Sequence, residues 1–148
     1  MEKVMSCYRI KAAGENASAL ESVMDRVCNI AEKKNDKDVI ILIAQKNYGK
    51  KDKRLEQILG LTMYRTLMQD SAESVGIGDV SVQLKTFSYI TNAAYRANNK
   101  TIVVVNPSAS DLEIKFKNLH KTTDVIAVEI HSDGELDGWV KDNQAVDL

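Results

Sequence analysis

Apolar residues recur along this chain in two alternating rhythms. From Val39 to Ala44 every residue is apolar, and Thr101 to Val105 repeats the pattern. Strands written this way have both faces covered, as in a parallel sheet with helices above and below. Between such runs the spacing changes to three and four. Leu20, Val23, Met24, Val27, Ile30 and Ala31 form one helical stripe. A second helix is expected from about Lys53 to Glu73, with Leu55, Ile58, Leu59, Leu61, Met63, Tyr64, Leu67 and Met68 covering more than one face. Gly76-Ile77-Gly78 reads as its stop.

The remaining elements follow the same logic. Lys3 to Lys11 reads as an opening strand, and Asp79 to Leu84 alternates as a half-buried strand would. Helices are expected at about Phe87 to Ala97, at about Asp111 to His120, and around Leu136, Trp139 and Val140. Val125 to Ile130 reads as a fifth strand. Ser18 with Glu21, Ser110 with Glu113 and Ser132 with Glu135 have capping-box spacing. The resulting order, strand and helix in turn, predicts one α/β domain over residues 1–148. It is a three-layer Rossmann-like or flavodoxin-like arrangement, a mostly parallel five-stranded sheet with helices on both faces.

Composition narrows the class without naming an activity. The 148 residues are 44% hydrophobic and 28% charged, which excludes disorder, collagen and a disulfide scaffold. A formal net charge of −1 excludes a globally basic nucleic-acid binder but leaves room for a local patch. Cys7 and Cys28 form no Cys-x-x-Cys pair and read as buried thiols of a reducing compartment. The run from Val39 to Ala44 is far shorter than the ~20 residues a membrane span needs. The first residues hold no apolar signal core, so a cytoplasmic setting without membrane contact is expected.

In an open parallel sheet, ligands bind beyond the carboxyl ends of the strands. The candidate loops are Ala12–Asn16, Gln45–Asp52, Asn106–Ser110 and His131–Gly134, while Lys85-Thr86 is shorter and less informative. Neither Gly-x-Gly-x-x-Gly after the first strand nor Gly-x-x-x-x-Gly-Lys-Ser/Thr occurs. Three helix starts carry their own acids: Glu15 and Glu21, Asp111 and Glu113, Asp133 and Glu135. Such acids satisfy a positive helix end and repel phosphate.

The entry to the second helix is the exception. From Lys46 to Arg54 it holds five cations against the single acid Asp52. Cations there oppose the helix dipole by several tenths of a kcal/mol each. A solvated loop capped by Asp52 is the plain reading. The sharper one is a phosphate site built from Lys46, Asn47, Tyr48, Gly49, Lys50, Lys51, Lys53 and Arg54. Gly49 would allow close backbone approach, and Tyr48 would supply a stacking ring. The C-terminal segment from Asp124 is acidic in compensation, with Lys141 as its one cation. Asp133, Glu135 and Asp137 alternate and so do not share one helix face, and no metal site is expected from them.

The sequence therefore supports a non-catalytic binding or regulatory module that recognises a phosphate-bearing ligand, a nucleotide or a nucleic acid, through residues 46–54. It names no cofactor and leaves catalysis undecided. One alternative is a small α/β hydrolase or transferase in which His131 acts with Asp133 or Ser108. Another is an interaction domain that forms a homodimer through Leu61, Tyr64 and Met68, the second strip of the second helix.

Overall fold

A computed structural model describes residues 6–45, 53–69 and 74–148. Its strands, in chain order, are β1 (Ser6–Lys11), β2 (Asp38–Ile43), β3 (Val75–Ile77), β4 (Val80–Thr86), β5 (Thr101–Val105), β6 (Asp124–Glu129) and β7 (Val146–Asp147). The α-helices are α1 (Val23–Ala31), α2 (Lys53–Leu59), α3 (Leu61–Gln69), α4 (Phe87–Thr91) and α5 (Asp137–Asn143). Two 3-10 segments, Gly14–Ser22 and Ala94–Ala97, and a π-helical turn at Asp111–Lys115 complete the elements.

All described strands join one mostly parallel sheet in the order β3-β4-β2-β5-β6-β1-β7. Only β3 runs antiparallel to its neighbour β4. The class is α/β, as the alternation of periods implies, but the sheet has seven described strands rather than five. Its order also departs from the expected one. A Rossmann-like or flavodoxin-like sheet keeps its first strand near the centre. Here β1 lies between β6 and β7 at the far end. The chain reaches β2 only after passing over β6 and β5.

The two sheet faces carry separate cores. Val39, Ile41, Val103, Ile126 and Ile10 face α1, α2 and α3 through Val23, Val27, Leu55, Ile58 and Leu67. Ile40, Leu42, Ile102, Val104 and Ala127 face the opposite layer through Phe87, Ile90, Leu112, Phe116 and Trp139. Phe87 and Phe116 meet edge to face with ring centres 5.4 Å apart, a favourable aromatic arrangement. Complete burial of both faces of β2 and β5 explains their unbroken apolar runs. Crossovers moving toward β4 use the first face and those moving toward β7 the second, as right-handed connections require.

Several local expectations are corrected. The helix expected over Lys53–Glu73 breaks at Gly60, whose φ of +81° ends α2 and redirects the chain into α3. The break lets Leu67 bury on the same core as Leu55 and Ile58, and Met63, Tyr64 and Met68 pack partly against it. Gly76-Ile77-Gly78 is not a helix stop. Ile77 pairs with Val80 across the turn at Gly78, which adds β3 as an edge strand. The second edge strand, β7, is two residues long.

The expected caps are also displaced. The 3-10 segment before α1 makes Ser18 an interior residue, and no side chain caps α1. Ser110 forms no cap bond; Ser108 and Asp111 exchange side-chain-to-backbone bonds of 3.0 and 3.1 Å instead. This is the same reciprocal device begun two residues earlier. Ahead of α5, the Glu129 carboxylate accepts from the N–H groups of Gly134 and Leu136, both at 2.9 Å, the task expected of Ser132.

Candidate functional site at the carboxyl edge of the sheet

Ligand crevices in open α/β sheets form where neighbouring strands send their onward connections to opposite faces. This strand order makes three such places: between β4 and β2, between β2 and β5, and between β6 and β1. The first two flank β2.

The crevice between β6 and β1 is filled by the protein itself. Ala12 and Ala13 are buried there. Asp133 pairs with Lys11 at 3.9 Å and accepts from Asn16 Nδ2 at 3.5 Å. Just behind, Arg9 on β1 donates to Asp147 at 2.6 and 2.9 Å, to Asp137 at 2.5 Å and to Glu129 at 3.3 Å. These carboxylates raise the guanidinium pKa above its ordinary value, led by the Asp147 bond. Arg9 thereby ties β6, α5 and β7 to β1. The arrangement sets four carboxylates against Arg9 and Lys11, an acidic excess that offers an anion nothing.

The crevices beside β2 differ. Ala44 and Gln45, which leave β2, are exposed. They lead into Lys46, Asn47, Tyr48, Gly49, Lys50 and Lys51, which lie outside the described residues. The described remainder of that candidate set, Lys53 and Arg54, begins α2, with both side chains exposed. On one flank stands Asn106, directly after β5, in the left-handed conformation at φ +56°. Its backbone N–H donates to Val128 at 3.0 Å, whereas its side-chain Oδ1 is buried without a hydrogen-bond partner among the described residues. A buried acceptor left unpaired costs on the order of 1–3 kcal/mol. An unpaired acceptor on a left-handed residue beside a switch-point crevice makes Asn106 a candidate functional position. On the other flank, Thr86 ends β4 opposite Ile43, the last residue of β2.

The residues of the catalytic alternative are engaged elsewhere. Ser108 is bonded to Asp111, whose own carboxyl is held below the usual range. There burial pulls upward, but the Ser108 N–H and the Lys115 ammonium outweigh it. Asp133 is engaged by Lys11 and Asn16. No hydrogen bond or ion pair joins the exposed His131 to either residue among the described contacts. The cysteine thiols are buried and unoxidised. Burial, helped by the Asp124 charge, pushes Cys7 up to about 11, the opposite of an activated nucleophile.

Of the cavities among the described residues, one of about 760 Å³ opens at the far, amino-terminal edge of the strands. Its lining mixes both signs: Lys33, Lys34 and Lys121 with Asp36 and Asp124. Lys34 is already bound there to Asp124 at 3.3 Å and to the Thr122 carbonyl at 2.8 Å. Size alone therefore does not make it the site. Among the described residues no group of His, Cys, Asp and Glu is placed to hold a metal ion, and no helix is long and apolar enough to cross a membrane.

No known protein family matches the chain, and no match was found among curated proteins or solved structures. The site must be read from its own geometry. Sequence reasoning placed Asn106 in a candidate loop without singling it out and rated Lys85-Thr86 less informative than the other loops. The available signal was an asparagine, a side chain that tolerates the left-handed region, at a strand-to-turn junction.

Proposed function

We propose that this protein is a non-catalytic binding or regulatory module that recognises a phosphate-bearing ligand, a nucleotide or a nucleic acid, through the basic segment Lys46–Arg54. The observation that carries this reading is the position of β2, the strand that precedes the segment in the chain: it has a switch-point crevice on each side. The binding principle is that of Rossmann-like sheets, although the strand order differs. Local charge adds to it, because the segment places five cations where stability alone would place acids.

Two further parts belong to the same proposal. Both cysteines are free thiols, which suits a cytoplasmic setting. Leu61, 49% exposed at the start of α3, is the residue around which a homodimer would form, with Tyr64 and Met68 beside it at the core margin. Leu61→Glu should then give a folded monomer by gel filtration; an unchanged hydrodynamic mass would count against the dimer.

Thermal melting at low salt with mononucleotides, dinucleotides and short DNA and RNA strands tests the central reading. A ligand at a hundred times its Kd adds about 2.7 kcal/mol, a shift of several degrees. The shift should fade with added salt and vanish in the Lys50→Glu, Lys51→Glu double variant. A panel without a stabilising ligand, or one that ignores the charge reversal, would overturn it.

A further inference from the structure

The cavity of about 760 Å³ at the amino-terminal edge of the strands has a lining whose charges do not cancel. One wall is the sheet, where Ser6 and Asp124 begin β1 and β6 in register. The residues just after α1, from Lys33 to Asp36, form the second, and Asn99 with Lys121 and Thr122 forms the third. Both acids of the lining are already neutralised. Asp124 pairs with Lys34 at 3.3 Å, and Lys34 also donates to the Thr122 carbonyl at 2.8 Å. Asp36 pairs with Lys100 at 3.1 Å and accepts from the Asp38 N–H at 3.0 Å. Lys33 and Lys121 differ. Both are exposed at the rim, and neither has an ion pair or hydrogen bond among the described residues. Two positive charges are left facing one opening.

The uncharged lining narrows the rest of the ligand. Tyr8 is half-buried, and burial together with the Asp124 charge raises its pKa, so its hydroxyl stays a donor at neutral pH. The side-chain carboxamides of Asn35 and Asn99 make no hydrogen bond among the described residues. Asn99 is fixed in the left-handed conformation at φ +67°, with its N–H on Thr122 Oγ1 at 3.0 Å, so that wall is set before a ligand arrives. Carboxamides and phenols match hydroxyl groups, which both donate and accept. Ammonium groups match oxyanions. The volume lies within the range of small-molecule sites, roughly 300–1,000 Å³.

We infer that this cavity binds a small hydroxylated organic anion with at least two negative charges, the anionic group held by Lys33 and Lys121 and the hydroxyls by Tyr8, Asn35 and Asn99. Two sources share that chemistry: a sugar phosphate and a hydroxylated polycarboxylate. The inference does not rest on the reading of Lys46–Arg54, since none of its residues belongs to that segment.

Calorimetric titration at low salt with ribose 5-phosphate, citrate, ribose and inorganic phosphate tests it. Ribose lacks the charge and inorganic phosphate lacks the organic hydroxyls. At least one of the first two probes should bind roughly tenfold or more tighter than either of these, the worth of one charge-assisted contact. Preference for ribose 5-phosphate identifies a sugar phosphate, and preference for citrate identifies a polycarboxylate. The Lys33→Gln, Lys121→Gln double variant should lose roughly tenfold or more in affinity; both side chains are exposed, so it keeps its fold. Asn99→Gly suits the left-handed backbone and should cut the advantage over inorganic phosphate roughly threefold. The Lys50→Glu, Lys51→Glu protein should bind as the parent does. Affinity that survives the double variant, or an advantage that survives Asn99→Gly, overturns the inference. Loss in the segment variant with full binding by the cavity variant assigns the anion to Lys46–Arg54 and overturns the cavity. Equal loss in both marks a general effect of charge and overturns it too. Absence of binding to every probe also overturns the cavity, while the nucleotide reading stands or falls on its own melting test.

Discussion

Arg9 Nη1 and Glu129 Oε2 meet at 3.3 Å with almost no contact with solvent, their side chains 4% and 1% exposed. The pair sits between β1 and β6, and each partner has further duties. Arg9 reaches Asp137 and Asp147, while Glu129 holds the N–H groups ahead of α5. Arg9 and Glu129 together thus hold α5 and β7 against β1 and β6.

Arg9→Met should be severely destabilising. Removing one partner of a buried pair leaves an uncompensated charge, at a cost of about 3–5 kcal/mol. Urea denaturation followed by circular dichroism measures it. The double variant Arg9→Met, Glu129→Leu should recover only part of the loss, because the Gly134 and Leu136 N–H groups lose their acceptor. Full recovery would show that Glu129 matters only as the counter-charge.

Acid should unfold the protein through the same network. The Arg9 bond holds Asp147 below the usual carboxylate range against an opposing effect of burial. Asp111 is lowered as well, and so is Asp36, where the Asp38 N–H and Lys100 outweigh burial. Each folded-state pKa lies below the unfolded value of about 4. The unfolded chain therefore takes up protons first. The stabilisation is complete above that value and is lost as pH falls through it toward the lower folded values. Asp147→Asn should flatten this limb in denaturation series between pH 7 and pH 3. A variant as acid-sensitive as the parent would remove Asp147 from the account.

The parts legible in the sequence were those fixed by period and local charge. Val39–Ile43 and Thr101–Val105 announced buried parallel strands because both faces had to be apolar. The order of strands left no trace in the period, since β1 has the same pattern beside β6 as it would have at the centre. Gly60 was hidden by the apolar residues on either side, which continue a helical rhythm across the break. β3 and β7 were too short to show alternation. Within the candidate site, the basic segment could be seen because its five cations fall close together in the chain. The contacts of Lys85 and Arg96 with the Tyr89 ring could not be read from the sequence, because a strand, a helix and a 3-10 segment bring them together.

Asn106 separates stability from binding. Its left-handed backbone suits glycine better than any side chain, and its Oδ1 is a buried acceptor without a partner among the described residues. Asn106→Gly removes both costs and loosens the unfolded chain, for a net gain of up to about 1 kcal/mol. A phosphate oxygen cannot satisfy that acceptor, since both would be accepting. A ribose hydroxyl or a base amino group can, so under the proposed function the residue would contact the nucleoside part of the ligand. The glycine variant should therefore melt higher than the parent and bind pyrophosphate unchanged, yet bind ADP or a dinucleotide roughly tenfold more weakly. Melting curves and calorimetry on the same preparation decide it. A variant that gains stability and keeps its nucleotide affinity would reduce Asn106 to a strained turn residue. One that loses stability would show that its side chain has a structural partner.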